Sequence, residues 1–260
     1  MGVSGGLRPP DTPIFLPDPG DSQRARVYLW IYRRIIMMDA HRKAWNQQQQ
    51  ALRQSLARLD DLPGAIDLFL GQHAMLHAAG MSQAGMYSFE DETLDELTIE
   101  QMRTIPLNME HSIAWVLWHM TRIEDATMNL LVAGSPQILL QEGWLERMEI
   151  PECDTGNAMD PGSMAGLSAA INLAALRAYR RSVGIRTRAI VRQLQAHELK
   201  QKVAPARLEQ MTAQGVVRAE AGGLLKYWSG LTISGLLLMP PTRHAFVHWT
   251  EAQKIRQKIN

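Results

Sequence analysis

The stretch Ser112-Ile-Ala-Trp-Val-Leu-Trp-His-Met-Thr-Arg-Ile-Glu-Asp125 decides the fold class. Within it Ile113, Val116, Leu117, Met120 and Ile123 recur at the 3.6-residue period of a helix that buries its apolar side. The pattern predicts a helix over about 108–132, entered after Pro106 and closed by Gly134 and Pro136. His119 falls three residues after Val116 and four before Ile123, which turns its imidazole inward.

Outward from this helix the chain punctuates itself with Gly and Pro. Pro9, Pro10, Pro13, Pro17 and Pro19 make residues 1–21 a flexible N-terminal arm. From Ser22 to Leu59 neither Gly nor Pro intervenes, and Met38, Trp45, Leu52, Leu56 and Leu59 fall at heptad-like intervals. Residues 22–62 therefore read as a helical extension, in one helix or two in series, which either flanks the body of the protein or dimerises; a homodimer is compatible with the spacing. A helix is expected over Ala65–Ala79, with Gly80 as its stop, followed by an acidic loop or short helix over Glu90–Glu100. The breakers in Gln141–Ser163 predict a long connection. Asn172 caps a helix reaching to about Leu199, a short helix follows near Pro205–Gln214, and Pro240-Pro241-Thr242 opens the last helix, Thr242–Ile259. Nothing alternates as a strand would. The expected fold is all-α, with four main helices packed as a bundle over residues 63–260.

Composition narrows the chemistry. The 260 residues are 46% hydrophobic, enough for a sizeable core, and a net charge of +1 provides no field to hold a polyanion, so no nucleic-acid partner is expected. The single Cys153 excludes an intrachain disulfide and a cysteine-based zinc site, leaving His and carboxylate as metal ligands. Its neighbours Glu152 and Asp154 would raise a thiol pKa, so it is not nominated as a nucleophile. With neither a secretory leader nor an apolar run long enough to span a bilayer, the expected setting is cytoplasmic, with no membrane partner.

The chemistry-bearing stretch is Arg243-His-Ala-Phe-Val-His-Trp-Thr-Glu251. Four residues apart on a helix, His244 and His248 stack on one face, the face that also carries Ile255 and Ile259. Imidazoles on a buried stripe need either a metal ion or a hydrogen-bond partner, and both remain open. With His119 they would form a three-histidine site with an open position. Glu251 can face that site as a ligand, as an acceptor for an imidazole N–H or as a general base, or it can pair with Lys254 along its own helix. A second pair, His73 and His77, is expected at the surface or lining a pocket, with His77 the pocket member and Trp115 a further pocket wall. His111 is expected to be exposed, and His41 and His197 to lie at the surface. Glu124 and Asp125, rotated away from His119, are expected to pair with Arg122 or cap a neighbour. Neither a nucleotide-binding glycine motif nor a Glu-x-x-His di-iron signature is present.

Ser112-Ile-Ala-Trp-Val-Leu-Trp-His119 with Arg122-Ile-Glu-Asp125, Gly143-Trp-Leu-Glu-Arg147, and Arg243-His-Ala-Phe-Val-His248 together resemble the DinB-like helical-bundle superfamily, from about Ala65 to the C-terminus. The resemblance implies a four-helix bundle in which His119, His244 and His248 bind a divalent metal, Zn, Ni or Fe. It also implies a metal-dependent transferase that moves a low-molecular-weight thiol, such as bacillithiol or mycothiol, onto an electrophilic small molecule. In one related branch of the fold the metal is iron and the chemistry oxidative. The alternative is a non-catalytic oligomeric bundle that serves binding or stress response.

Overall fold

The computed structural model describes the backbone of residues 22–259 and side chains from Met37 onward. The arm expected over 1–21 lies outside the described residues. By its contacts the chain divides into two units, Met1–Trp45 and Asn46–Asn260. All described regular structure is helical, with an isolated bridge between Lys202 and Thr232, so the fold is all-α.

The five longest helices are α1 (Ser22–Arg58), α2 (Leu62–Leu76), α3 (Ile113–Ala126), α4 (Leu173–Gln193) and α5 (Ala245–Ile259). The extension is thus one helix, with no break between Ser22 and Arg58. Helix α2 begins three residues earlier than expected, because Asp61 accepts the Gly64 N–H at 2.9 Å and Pro63 occupies the first turn, where a missing N–H costs nothing. Pro63-Gly64 starts a helix instead of marking a break. Helix α4 is capped as its sequence predicts, Asn172 accepting the Ala175 N–H at 3.1 Å, but ends at Gln193. Such a cap is worth about 1 kcal/mol.

The stretch 113–126 is the central element. Ser112 caps it through the Trp115 N–H at 3.0 Å, and all of its residues are buried. A helix enclosed on every side is packed against by several others: α4 and α5 pack along it, and α2 reaches it through His73 and Glu124. It does not end at Ala126 but widens into a π-helical stretch, Thr127–Ala133, stopped by Gly134 at φ +65. A side chain at Gly134 would also collide with the Arg207 guanidinium, which donates to the carbonyls of Leu131 and Val132. Helix α5 is likewise preceded by a π-helical stretch, Met239–His244. Instead of one long connection, the chain between α3 and α4 contains helices at Ile138–Gln141, Trp144–Met148 and Pro161–Ala170, with an irregular loop only over 149–160. The acidic segment forms short helices at Phe89–Leu94 and Ile99–Arg103, and the Gly-rich passage after 221 is helical over Gly222–Ser229 and Ile233–Leu237.

Complete burial obliges the polar residues of α3 to be satisfied internally. Asp125 takes hydrogen bonds from Asn129 Nδ2 (2.8 Å), Tyr179 Oη (2.6 Å), Arg122 (3.2 Å) and the backbone N–H groups of Ile138 (3.0 Å) and Leu139 (2.9 Å). Arg122 in turn reaches Tyr179, the Gln137 side chain and the Cys153 carbonyl. One buried ion pair therefore ties α3 to α4, to the segment after the π-helical stretch and to the 149–160 loop. Its charges are affordable only because nearly every lone pair and proton has a partner.

Candidate metal centre

That loop reaches the site. Arg122 fixes the Cys153 carbonyl, Asp154 bonds the Gly156 N–H (2.6 Å) and Arg218 (2.7 Å), and the Thr155 N–H donates to Val216. Gly156 takes φ +79 beneath Trp118, where an added Cβ would lie 2.6 Å from the indole. Only glycine fits such a place without strain. The result is that the Thr155 carbonyl is aimed at His119 Nδ1, which donates to it at 2.5 Å.

With its Nδ1 proton so engaged, neutral His119 turns the Nε2 lone pair the other way, 3.2 Å from His244 Nε2. His248 completes the group, its ring centroid 4.8 Å from that of His119 and 4.5 Å from that of His244. One nitrogen of each ring lies within 4.8 Å of the other two, near enough for a single ion to collect them. His248 Nδ1 bonds Glu251 Oε2 at 2.8 Å, so its Nε2 lone pair is also freed. A carbonyl or carboxylate on the outer ring nitrogen is the usual support of a metal-binding imidazole, because it fixes tautomer and orientation. His119 and His248 have such supports; His244 Nδ1 is buried without one. Burial, with His248 adjacent, pushes His119 down to about 3 from 6.5. Burial followed by the two neighbouring rings also holds His244 well below its ordinary value. Both therefore stay neutral, as ligation requires.

Glu251 bridges two imidazoles. Its other oxygen accepts from His111 Nδ1 at 2.6 Å, so His111 is not the exposed residue expected but part of this cluster, 15% exposed. Burial alone would raise the Glu251 carboxyl; the bonds from His111 and His248 bring it down to about 2. With both oxygens engaged, it is suited to holding His248, not to accepting a proton. No pairing with Lys254 is needed. Trp115 lies buried between rings, stacked on His111 (3.8 Å between centroids) and on His119 (4.7 Å).

The second histidine pair brings a correction. His73 and His77 are wholly buried, His77 lining a pocket as expected, and Glu124 points to neither Arg122 nor a cap but to them. His73 Nε2 lies 2.8 Å from one Glu124 oxygen and His77 Nε2 3.0 Å from the other, making a further group that could hold a metal. Asp125 alone of the two acids pairs with Arg122. His77 is also among the residues that line a cavity of about 300 Å³ with Glu90, Arg177, Arg180 and Arg181. The partners of Glu124 lie 51 and 47 residues away in the chain, so no local pattern announces them. His111 and the Thr155 carbonyl had no sequence signal either. His197 is exposed, as expected.

An all-α protein that gathers three imidazoles from two helices, two of them braced by outer hydrogen bonds, has the donor set of a metalloprotein. The profile of the DinB superfamily matches residues 91–221, just over half of the chain, and the protein belongs to that superfamily. The matched segment contains His119 and Glu124; His244 and His248 lie beyond it. No curated protein sequence matches the chain. No helix among the described residues is long and apolar enough to cross a membrane.

Proposed function

We propose that His119, His244 and His248 hold a divalent ion, Zn, Ni or Fe, and that the protein uses it to transfer a low-molecular-weight thiol to an electrophilic small molecule. The observation that carries the metal site is the direction of the outer ring nitrogens: the Thr155 carbonyl and the Glu251 carboxylate engage the Nδ1 atoms of His119 and His248, turning the His119 Nε2 toward His244 and leaving that of His248 free. A divalent ion held there supplies the acidity that makes a thiol or a water nucleophilic near neutral pH. Three protein ligands leave room for a small molecule beside them. The thiol transfer itself rests on membership of the superfamily and on this open donor set.

The chain's own contribution is placement. Glu251 and His111 fix the His248 ring, the pinned 153–156 loop fixes His119, and the Trp115 indole covers one face of His119, shielding it from water. In the transfer the thiol gives up its proton to solvent, the sulfur forms a bond to the acceptor carbon, and the displaced electron pair leaves with a halide or opens a ring whose oxygen then takes a proton back from solvent.

Elemental analysis of the purified full chain, with thiol consumption followed against a halogenated or epoxide acceptor, tests both parts. Stoichiometric metal and metal-dependent turnover, both lost in His244→Ala, are expected. Metal without turnover across thiols would remove the transferase reading, and no metal at all would remove the site.

A further inference from the structure

The His73, His77 and Glu124 cluster is unused by the function proposed above, and it poses a charge problem. Glu124 is fully buried. Among the described residues its ion-pair partners are the two histidines and no Lys or Arg. The carboxylate is enclosed by two imidazoles, at 2.8 and 3.0 Å, and not by a fixed positive charge. The neighbouring guanidinium, Arg180, is already engaged by Glu90 (2.7 Å), the Leu76 carbonyl (2.7 Å) and Thr121 (3.3 Å). A buried carboxylate in this position calls for a cation.

Each imidazole turns its Nε2 toward Glu124, so donors from three side chains converge on the Nε2 side of the rings. The rings are held in place. They lie tilted by 35° with centroids 4.2 Å apart, and His73 stacks on Phe69 at 5.5 Å. On the facing helix Gly184 sits in the interior of α4, where an added Cβ would stand 2.8 Å from His77 Nδ1. A glycine inside a helix costs about 1 kcal/mol relative to alanine, and here it makes the space the imidazole occupies.

We propose that His73, His77 and Glu124 form a second divalent-metal site beside the three-histidine one. Two imidazoles and a carboxylate are a donor set for Fe(II), Mn(II) or Zn(II). The nitrogen-to-oxygen separations of 2.8 and 3.0 Å match adjacent corners of a coordination polyhedron with bonds of about 2.1 Å. The two sites share a helix, since Glu124 follows His119 by five residues on α3. Helix α3 would then supply a ligand to each, His119 to one and Glu124 to the other.

The full chain, saturated with Zn²⁺ and freed of excess by dialysis, is expected to retain two ions. Glu124→Gln and His244→Ala are each expected to retain one. Because a substitution at so buried a position can prevent folding, wild-type crystals soaked in Zn²⁺ give an independent reading at the zinc absorption edge. An anomalous peak enclosed by His73, His77 and Glu124 is expected whether or not the other site is filled. No peak there at saturating zinc, or a single bound ion that Glu124→Gln leaves in place, would overturn the second site.

Discussion

His73 with His77 and His244 with His248 are the same motif in sequence, two imidazoles four residues apart, and they end in different chemistry. Both pairs bring their rings together, with centroids 4.2 and 4.5 Å apart, although His77 is the residue just beyond α2 and His244 the one just before α5. Both meet α3. The first pair meets Glu124, which engages one Nε2 with each oxygen; the second meets His119, which adds a third imidazole. The outer nitrogens differ too: His119 and His248 are braced by a carbonyl and a carboxylate, whereas His73 and His77 have unpartnered Nδ1 atoms. Spacing determines that two side chains share a face; the residue that arrives from another helix determines what the face does.

The sharpest way to separate the two clusters is through the buried ion pair, which holds the loop that braces only one of them. Asp125→Ala strands Arg122 and frees the segment after the π-helical stretch, with an expected loss of about 3–5 kcal/mol in urea unfolding. Since Arg122 also carries the Cys153 carbonyl, surviving folded protein should bind metal more weakly at His119 than at His73 and His77. An equal loss at both would show that the loop does not brace the first site.

Glu251→Gln tests the brace on His248 directly. Loss of such an outer partner weakens metal affinity by about 10–100-fold. Competition with a zinc chelator should show that drop at the three-histidine site and none at Glu124. An unchanged affinity would mean that Glu251 pairs with His111 for stability alone.

A smaller effect is expected from acid on metal-free protein. Burial above all takes His77 and His119 from 6.5 to about 3, and His244 is lowered as well. Between about 3 and 6.5 the unfolded chain therefore binds more protons than the folded one. Stability is full above the unfolded value and falls as the pH drops, by up to about 1.4 kcal/mol per pH unit for each ring. Urea midpoints measured in chelator should decline below about pH 6.5, and saturating zinc should shift the decline to lower pH. A flat profile would contradict the neutral, buried imidazoles.

The sequence carried the local part of this structure and lost the distant part. The period of Ile113 to Ile123, the caps at Ser112 and Asn172 and the inward turn of His119 depend on neighbours a few residues away, and all are legible from spacing. The four-residue pairs were equally visible. Glu124 engages residues 51 and 47 positions earlier, and nothing nearby in the chain announces that α2 lies across that side of α3. His111 is 140 residues from Glu251, and the Thr155 carbonyl is a backbone atom, whose direction no residue type reveals. Local rules also missed the π-helical stretches, where the chain keeps turning through residues that periodicity assigns to an ordinary helix.

X-ray absorption at the zinc edge of the full chain, loaded with a single equivalent, tests the central claim most directly in Glu124→Gln, where among the described residues the three-histidine group is the intact candidate. Scattering from three imidazole rings at about 2.0–2.1 Å is predicted. A shell of oxygens, or of one imidazole, would mean that His119, His244 and His248 do not share an ion.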